Sequence, residues 1–189
     1  MKYYRLTEDM SIHGRWYLSP INNVSYEEQW NFIVKPFFQA RDTLNVPIKI
    51  QGTKTDYTEN LTYNIPIISN KAKIVLEKYG ISLSQVNILD LQDEEKNSYY
   101  AMGVDILDCV NEDFSEYIKY EESDHVAPDR IGDYKFFNKL VLDKEKINTK
   151  HIFRIKGFLI YLIVSEELKE CMESQLLSGV LFEEIASDS

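Results

Sequence analysis

The amino-acid sequence predicts an α+β fold, with a mixed, largely antiparallel sheet, a few single helices and two related strand–helix–strand units. Three observations support this. Strand patterns outnumber helical patterns along the 189 residues, and the helical patterns occur singly between them. Two stretches, residues 65–89 and 160–182, also share one order: an apolar run, a serine, a helical pattern and a second apolar run.

The N-terminal part reads as short strands and turns with one helix. In "GRWYLSP", Trp16 and Leu18 fall on one face of a short strand that Pro20 closes. The stretch "SYEEQW" is expected to open a helix at Ser25, since serine caps the free amides of a first helical turn. Alternating residues in "VPIKIQG" predict a half-buried strand.

Further strands are predicted in the second half of the chain. The pattern over Ser98–Val110 predicts one long strand, whose shared face would carry Tyr100, Met102, Val104, Ile106 and Asp108. A further strand is expected in "KFFNKLVLD". The runs "HIFRI" and "FLIYLIV" are separated by Lys156 and Gly157 alone, which predicts a tight hairpin.

The two similar stretches are interpreted as scaffold. Ser69 and Ser165 stand where N-caps belong, Gly80 stands where the first helix should stop, and Gly179 ends the second unit before the strand pattern "VLFEEI". A nucleophilic serine or an anion site at the strand-to-helix turn is the alternative, but the glycines that let a ligand approach such a turn are missing. The predicted apolar stripes comprise Ala72, Val75, Leu76 and Tyr79 in the first unit, and Leu168, Cys171, Met172 and Leu176, with the polar Gln175, in the second.

Length and composition indicate a globular chain. Hydrophobic residues make up 44% and charged residues 28%. We expect one domain over residues 1–189, with two lobes, about 1–95 and 96–189, as the alternative. The candidate domain boundaries are Gln92–Ser98 and His125–Asp133, which are polar stretches between strand patterns.

Charge and cysteine content restrict the partners and the compartment. The net charge of −10 disfavours nucleic acid and anionic membranes as partners and favours a basic protein. No apolar run approaches the roughly 20 residues of a membrane helix, and the first residues lack the apolar core of a signal peptide. Cys109 and Cys171 are too few for a disulfide framework. These features predict a cytoplasmic protein.

No catalytic or metal-binding motif is found in the sequence, so we expect neither a cofactor nor a metal. The three histidines lack metal-ligand spacing, and the seven glycines are too far apart for a phosphate-binding loop. A nucleophilic pair of Cys109 with His125 or His151 is left as the alternative, because such pairs form in space rather than in sequence.

An acidic, aromatic segment is the predicted partner-binding surface. Residues 105–124 hold eight acidic residues and one lysine, a net charge of −7, among several aromatic rings. Carboxylates speed the encounter with a basic partner, and rings supply contact area. The alternative is a solvated segment whose charges prevent aggregation. The candidate residues are Asp113, Phe114, Glu116, Tyr117, Tyr120, Glu121, Glu122 and Asp124.

Four stretches carry a resemblance to a known family: "RWYLSPI", "IISNKAKIVLEK", "YYAMGVDILDCVNEDFSEY" and "HIFRIKGFLIYLIVSEELKECMESQLLSGVLFEEI". In this order they resemble the immunity proteins of bacterial polymorphic toxin systems, specifically the family often named the myxobacterial immunity domain. The resemblance implies a cytoplasmic, non-enzymatic protein that neutralises a cognate toxin by stoichiometric binding. It transfers no contact residues. The alternatives are an enzyme that reverses a toxin's modification through a Cys/His pair, and a non-catalytic adaptor subunit.

Overall fold

The computed structural model describes residues 1–90, 98–125 and 127–186. The predicted boundary at Gln92–Ser98 therefore lies, except for its last residue, outside the described residues. The predicted boundary at His125–Asp133 is described apart from residue 126. None of the helices in these ranges has the length and apolar content needed to cross a membrane.

Strands outnumber helices along the described chain, and the α-helices occur singly between strands, as predicted. The helices are α1 (Tyr26–Val34), α2 (Asn70–Leu76), α3 (Lys144–Ile147) and α4 (Glu166–Ser174), with single 3₁₀ turns at Glu77–Tyr79 and Pro128–Arg130. The strands are β1 (Tyr3–Glu8), β2 (Tyr17–Leu18), β3 (Leu44–Ile50), β4 (Tyr57–Glu59), β5 (Pro66–Ser69), β6 (Ser82–Leu89), β7 (Tyr99–Gly103), β8 (Asp105–Leu107), β9 (Glu116–Lys119), β10 (Tyr134–Lys139), β11 (Ile152–Ile155), β12 (Phe158–Ser165) and β13 (Val180–Ile185).

These strands form three sheets in the described part of the chain. A six-stranded sheet has the order β2-β3-β6-β7-β5-β4, and a five-stranded sheet has the order β13-β1-β12-β11-β8. Strands β9 and β10 pair with each other as a separate hairpin. Only β3 with β6 and β8 with β11 are parallel among the described pairs. The predicted α+β fold with a largely antiparallel sheet is confirmed.

The two strand–helix–strand units are present and share one topology. The first is β5-α2-β6 and the second is β12-α4-β13. In each unit a third strand lies between the two outer strands and runs antiparallel to both: β7 in the first unit and β1 in the second. The outer strands of each unit are therefore parallel to each other, as a helical crossover connection requires.

The predicted helix caps are also confirmed. The Ser69 hydroxyl accepts a hydrogen bond from the Ala72 amide, and the Ser165 hydroxyl accepts one from the Leu168 amide, both at 3.2 Å. Gly80 follows the first helix with φ +72°, a left-handed conformation that glycine adopts without steric cost. Helices α2 and α4 contact each other. Their buried faces join one hydrophobic cluster with side chains of both large sheets, including Leu6, Ile68, Met102 and Val164.

The predicted long strand over Ser98–Val110 is wrong. It is divided into β7 and β8, which belong to different sheets. The amide of Phe37 donates to the Val104 carbonyl at 3.0 Å, so the segment after α1 takes a hydrogen-bonding position where the strand would have continued. The five residues predicted on one strand face therefore do not share one; Met102 and Val104 are buried, whereas Asp108 is exposed.

The prediction that Leu176 belongs to the apolar stripe of the second helix is also wrong. Helix α4 stops at Ser174, and Leu176 adopts a left-handed backbone conformation with φ +51°. Its side chain is 81% exposed, while Leu177 is buried instead. The other short elements agree with prediction: Trp16 and Leu18 are buried, Ser25 caps α1, and Lys156 and Gly157 connect β11 to β12.

Candidate protein-binding surface

The β9–β10 hairpin is fixed to the protein by aromatic rings on its inner face. Tyr134 packs against Tyr117 and Phe137, with ring centroids 5.2 and 4.7 Å away. Phe137 in turn packs edge-on against Phe158 of β12, at 5.0 Å. Such ring pairs stabilise a fold by more than their buried area alone would give, so they hold the hairpin in place against β12.

The outer face of the hairpin is apolar at its centre. Ile118 and Phe136 stand opposite each other in the strand register and are 48% and 40% exposed. Of the predicted partner-binding residues, the structure leaves five exposed: Asp113, Phe114, Glu116, Glu121 and Glu122.

The other three predicted partner-binding residues are engaged within the protein. Tyr117 lies on the inner face of the hairpin, and its hydroxyl donates to Glu112 Oε2 at 3.0 Å. The Tyr120 ring is covered by the Arg130 guanidinium, whose central carbon lies 4.7 Å from the ring centroid. Asp124 accepts from Lys135 Nζ at 2.8 Å. The free part of the acidic segment is therefore smaller than its charge count indicates.

Glu112 is the most strongly engaged carboxylate of this segment, and the sequence did not single it out. Lys119 Nζ donates to its Oε1 at 2.6 Å and the Tyr134 hydroxyl donates to the same oxygen at 2.5 Å. These hydrogen bonds lower the pKa of Glu112 to about 2, because they favour the ionised form. Its charge is thus held against the hairpin.

A groove of about 390 Å³ lies beside the hairpin, between α1, the turn after β4, the start of β12 and the 3₁₀ turn at Pro128–Arg130. Apolar side chains dominate it and three charged side chains stand at its border. It is lined by Trp30, Ile33, Val34, Tyr63, Asn64, Asp129, Arg130, Asp133, Leu159 and Ile160.

Trp30 and Tyr63 form an exposed aromatic wall of this groove. Their ring centroids are 4.9 Å apart, and the two side chains are 40% and 41% exposed. Trp30 is oriented by its helix: the neighbouring Gln29 is buried and donates to the carbonyls of Ile21 and Val24, which fixes the start of α1. A large aromatic residue on the solvent side of a helix was the sequence signal that could have identified this wall.

The groove is built on a buried arginine. Arg154 is 3% exposed, and its Nη1 donates to the Leu159 carbonyl at 2.6 Å. Its Nη2 lies 3.5 Å from the Asn64 carbonyl on the facing turn. Tyr63 and Asn64 both have left-handed backbone conformations, with φ +60° and +51°. Because Arg154 reaches two walls of the groove, their separation is fixed before any partner arrives.

The groove and the acidic segment are adjacent. The Tyr120 amide donates to the Asp133 carbonyl, and the Gly132 amide donates to the Tyr120 carbonyl, both at 2.9 Å. Arg130 Nη1 donates to the Tyr120 hydroxyl at 3.3 Å. The last part of the acidic segment therefore holds the turn that carries the charged border of the groove.

The side chains of the alternative nucleophilic pair have other neighbours. Cys109 is fully buried in the cluster that includes Phe153 and Ile163, and burial raises the pKa of its thiol to about 12. His151 Nδ1 lies 2.8 Å from the Ser165 hydroxyl, and its ring packs on Tyr79. A thiol with this pKa is protonated at neutral pH and is a poor nucleophile.

Neither histidine of that alternative has the surroundings of a metal site. His125 is exposed on the loop between β9 and β10. Within the described ranges, no group of three or more histidine, cysteine, aspartate or glutamate side chains could hold a metal ion. The candidate surface is thus defined by apolar contact area and charge rather than by reactive groups.

Comparison with known proteins identifies a family. The immunity protein family (Imm11) matches residues 26–187, nearly the whole chain. A search of the curated proteins found no match. The matched range includes every residue that lines the groove and both helices of the duplicated units. The chain therefore belongs to the Imm11 family of immunity proteins.

Proposed function

We propose that this protein neutralises a cognate bacterial toxin in the cytoplasm by binding it one to one, without catalysing a reaction. Membership of an immunity protein family supports the biological role. The choice of binding over chemistry is supported by the protonated, buried state of Cys109.

The observation that supports the proposal is the adjacency of a preformed aromatic groove and an acidic segment, which are joined by the backbone hydrogen bonds between Tyr120 and the turn at Gly132 and Asp133. Interface hot spots are enriched in tryptophan and tyrosine, and Trp30 and Tyr63 are both exposed in the free protein. The exposed carboxylates of Glu121 and Glu122 stand in the loop that leads to the groove. This combination fits a partner with a basic face that surrounds an apolar contact.

A nuclease toxin would have such a face, because its substrate groove must attract phosphate. The carboxylates of the immunity protein would then occupy the position of phosphate groups and block the path of the substrate. Electrostatic attraction of this kind raises the association rate more than it lowers the dissociation rate.

Calorimetric titration of this protein with the toxin domain encoded beside its gene tests the proposal. We expect saturation at a molar ratio of one with a dissociation constant in the nanomolar range or below, together with loss of toxin activity at equimolar protein. Protection at far less than one equivalent would indicate an enzyme instead, and the absence of any complex would refute the proposal.

Charge reversal tests the acidic segment within that complex. The variant Glu116→Lys/Glu121→Lys/Glu122→Lys should slow association by about ten- to a hundredfold at low salt and weaken its salt dependence. All three side chains are exposed, so the fold should be unaffected. Unchanged association kinetics would remove this segment from the interface.

A control variant reverses three exposed glutamates, one at the start of the 3₁₀ turn after α2 and two on α4. It has the same change in net charge, so any general effect of charge on the encounter appears in both variants. Only the variant in the acidic segment should show a further decrease in the association rate. The control substitutions are Glu77→Lys, Glu170→Lys and Glu173→Lys.

A further inference from the structure

The charges at the border of the groove are not equally available. Arg130 Nε lies 3.6 Å from Asp133 Oδ2, and the Arg130 guanidinium is stacked on Tyr120. Asp133 and Arg130 therefore compensate each other. Asp129 is exposed, and within the described residues its carboxylate makes no hydrogen bond or ion pair. Among the groups that the structure describes, the border of the groove thus has one carboxylate without a partner, while the positive charge of the buried Arg154 is offset by the Glu59 carboxylate.

The remaining walls are suited to a long side chain with an aliphatic stem. Ile33, Val34 and Leu159 supply an apolar floor, and the rings of Trp30 and Tyr63 form one wall. A volume of about 390 Å³ is in the range of pockets that enclose a small group, and it suits one or two side chains. The groove is therefore a receptacle for an anchoring residue.

A cation is the best occupant of a site with two partly exposed rings and one carboxylate. Ring faces are electronegative and attract guanidinium or ammonium groups, with tryptophan the strongest acceptor. Arginine fits better than lysine, because its planar group can stack on a ring and still donate to a carboxylate. The overall negative charge of the protein also favours a basic residue over an acidic one.

We propose that this groove receives an arginine side chain of the toxin, with its stem on the apolar floor, its guanidinium against Trp30 and Tyr63, and its charge paired with Asp129. The proposal rests on the proposed function and names the chemistry of its principal contact. It makes the groove the anchor of the complex, while the acidic segment steers the approach.

The first test uses single substitutions and the toxin domain encoded beside the gene. Trp30→Ala should weaken the affinity about 30-fold or more, Trp30→Phe should retain part of it, and Asp129→Asn should weaken it about three- to tenfold. Asp42→Asn, an exposed acidic residue outside both the groove lining and the acidic segment, is the matched control and should have little effect. Unaltered affinity in Trp30→Ala and Asp129→Asn would overturn the groove proposal, while the complex itself would still support the proposed function.

The second test identifies the occupant by double-mutant cycles. Each arginine of the toxin domain is replaced by methionine, which keeps an unbranched stem without the charge, and each variant is paired with Asp129→Asn. One arginine should show a loss that is not additive with Asp129→Asn. If every arginine variant combines additively with Asp129→Asn, the occupant is not an arginine and the proposal fails.

A third test needs no toxin. The protein has two indole N–H groups, one on Trp30 and one on the fully buried Trp16, which donates to Thr55 and serves as an internal reference in an NMR titration. Acetylated Gly-Gly-Arg-Gly-Gly-amide should shift the Trp30 indole N–H signal. It should bind at least about fivefold more tightly than the same peptide with norleucine in place of arginine. Asp129→Asn should remove this preference. Equal binding of both peptides would overturn the cationic assignment.

Discussion

Replacing Ser165 by alanine should destabilise the protein, because this hydroxyl serves two neighbours. It accepts from the Leu168 amide at the start of α4 and lies 2.8 Å from His151 Nδ1. Loss of an N-cap costs about 1 kcal/mol. Loss of the second hydrogen bond adds about 0.5–1 kcal/mol. This value is in the lower part of the usual range because the His151 side chain is 22% exposed and can form a hydrogen bond with water instead. The free energy of unfolding should therefore fall by about 1.5–2 kcal/mol.

Urea denaturation followed by far-ultraviolet circular dichroism measures this change, and a thermal scan should show a decrease of about 3–8 °C in Tm for a chain of this size. Ser174→Ala is the control on the same helix. Its hydroxyl is exposed and donates to the Cys171 carbonyl near the helix end, so the expected change is within about 0.5 kcal/mol. Equal effects of Ser165→Ala and Ser174→Ala would refute the argument that the capping hydroxyl stabilises this unit.

Three other predictions concern glycine, cysteine and glutamate positions. Gly179→Ala should destabilise the protein far more than Gly80→Ala. Both glycines have positive φ, but only at Gly179 would a Cβ meet the Tyr57 backbone. Urea denaturation compares the two variants, and equal losses of stability would contradict the steric reason. In the folded protein at pH 8, a thiol reagent should modify Cys171 and leave Cys109 unreacted until the protein is denatured, as mass spectrometry can show; rapid modification of both would contradict the burial of Cys109. Glu112→Gln should lower the free energy of unfolding, because the ionised carboxylate stabilises the folded state. This contribution is fully present above about pH 4.5 and is lost as the pH falls through the folded-state pKa of about 2. The acid unfolding curves of wild type and variant should therefore converge, and a constant difference down to pH 2 would contradict the prediction.

Local chemistry accounts for what the sequence predicted correctly. The serine caps, the glycine after the first helix and the Lys156–Gly157 connection depend on hydrogen bonds and backbone angles within a few residues. Such features can be read from a short stretch because the groups that satisfy each other are neighbours in sequence.

The two errors have different causes, the first of which is a partner that is distant in sequence. The strand predicted over Ser98–Val110 is interrupted because Phe37, over sixty positions earlier, binds the Val104 carbonyl. No pattern within the strand contains that information. Leu176 fits the helical period but follows the helix end, where a left-handed residue turns the chain and brings Leu177 inward instead.

The candidate surface shows the same division. The charge count of the acidic segment was correct, but Lys135 neutralises Asp124 from the next strand, and Tyr117 packs inward against Tyr134. The groove was missed because its walls come from four separate elements. Only the position of Trp30, on the solvent side of a short helix, marked it in the sequence.

The position of β1 between β12 and β13 has a consequence for the synthesis of this protein. Leu6 pairs with Leu162 on one side and with Phe182 on the other, so β1 is synthesised more than 150 positions before either of its neighbours. Contacts of such long sequence separation form slowly. We therefore expect the five-stranded sheet to close only once β12 and β13 have left the ribosome, and chains that stop before β12 to lack it.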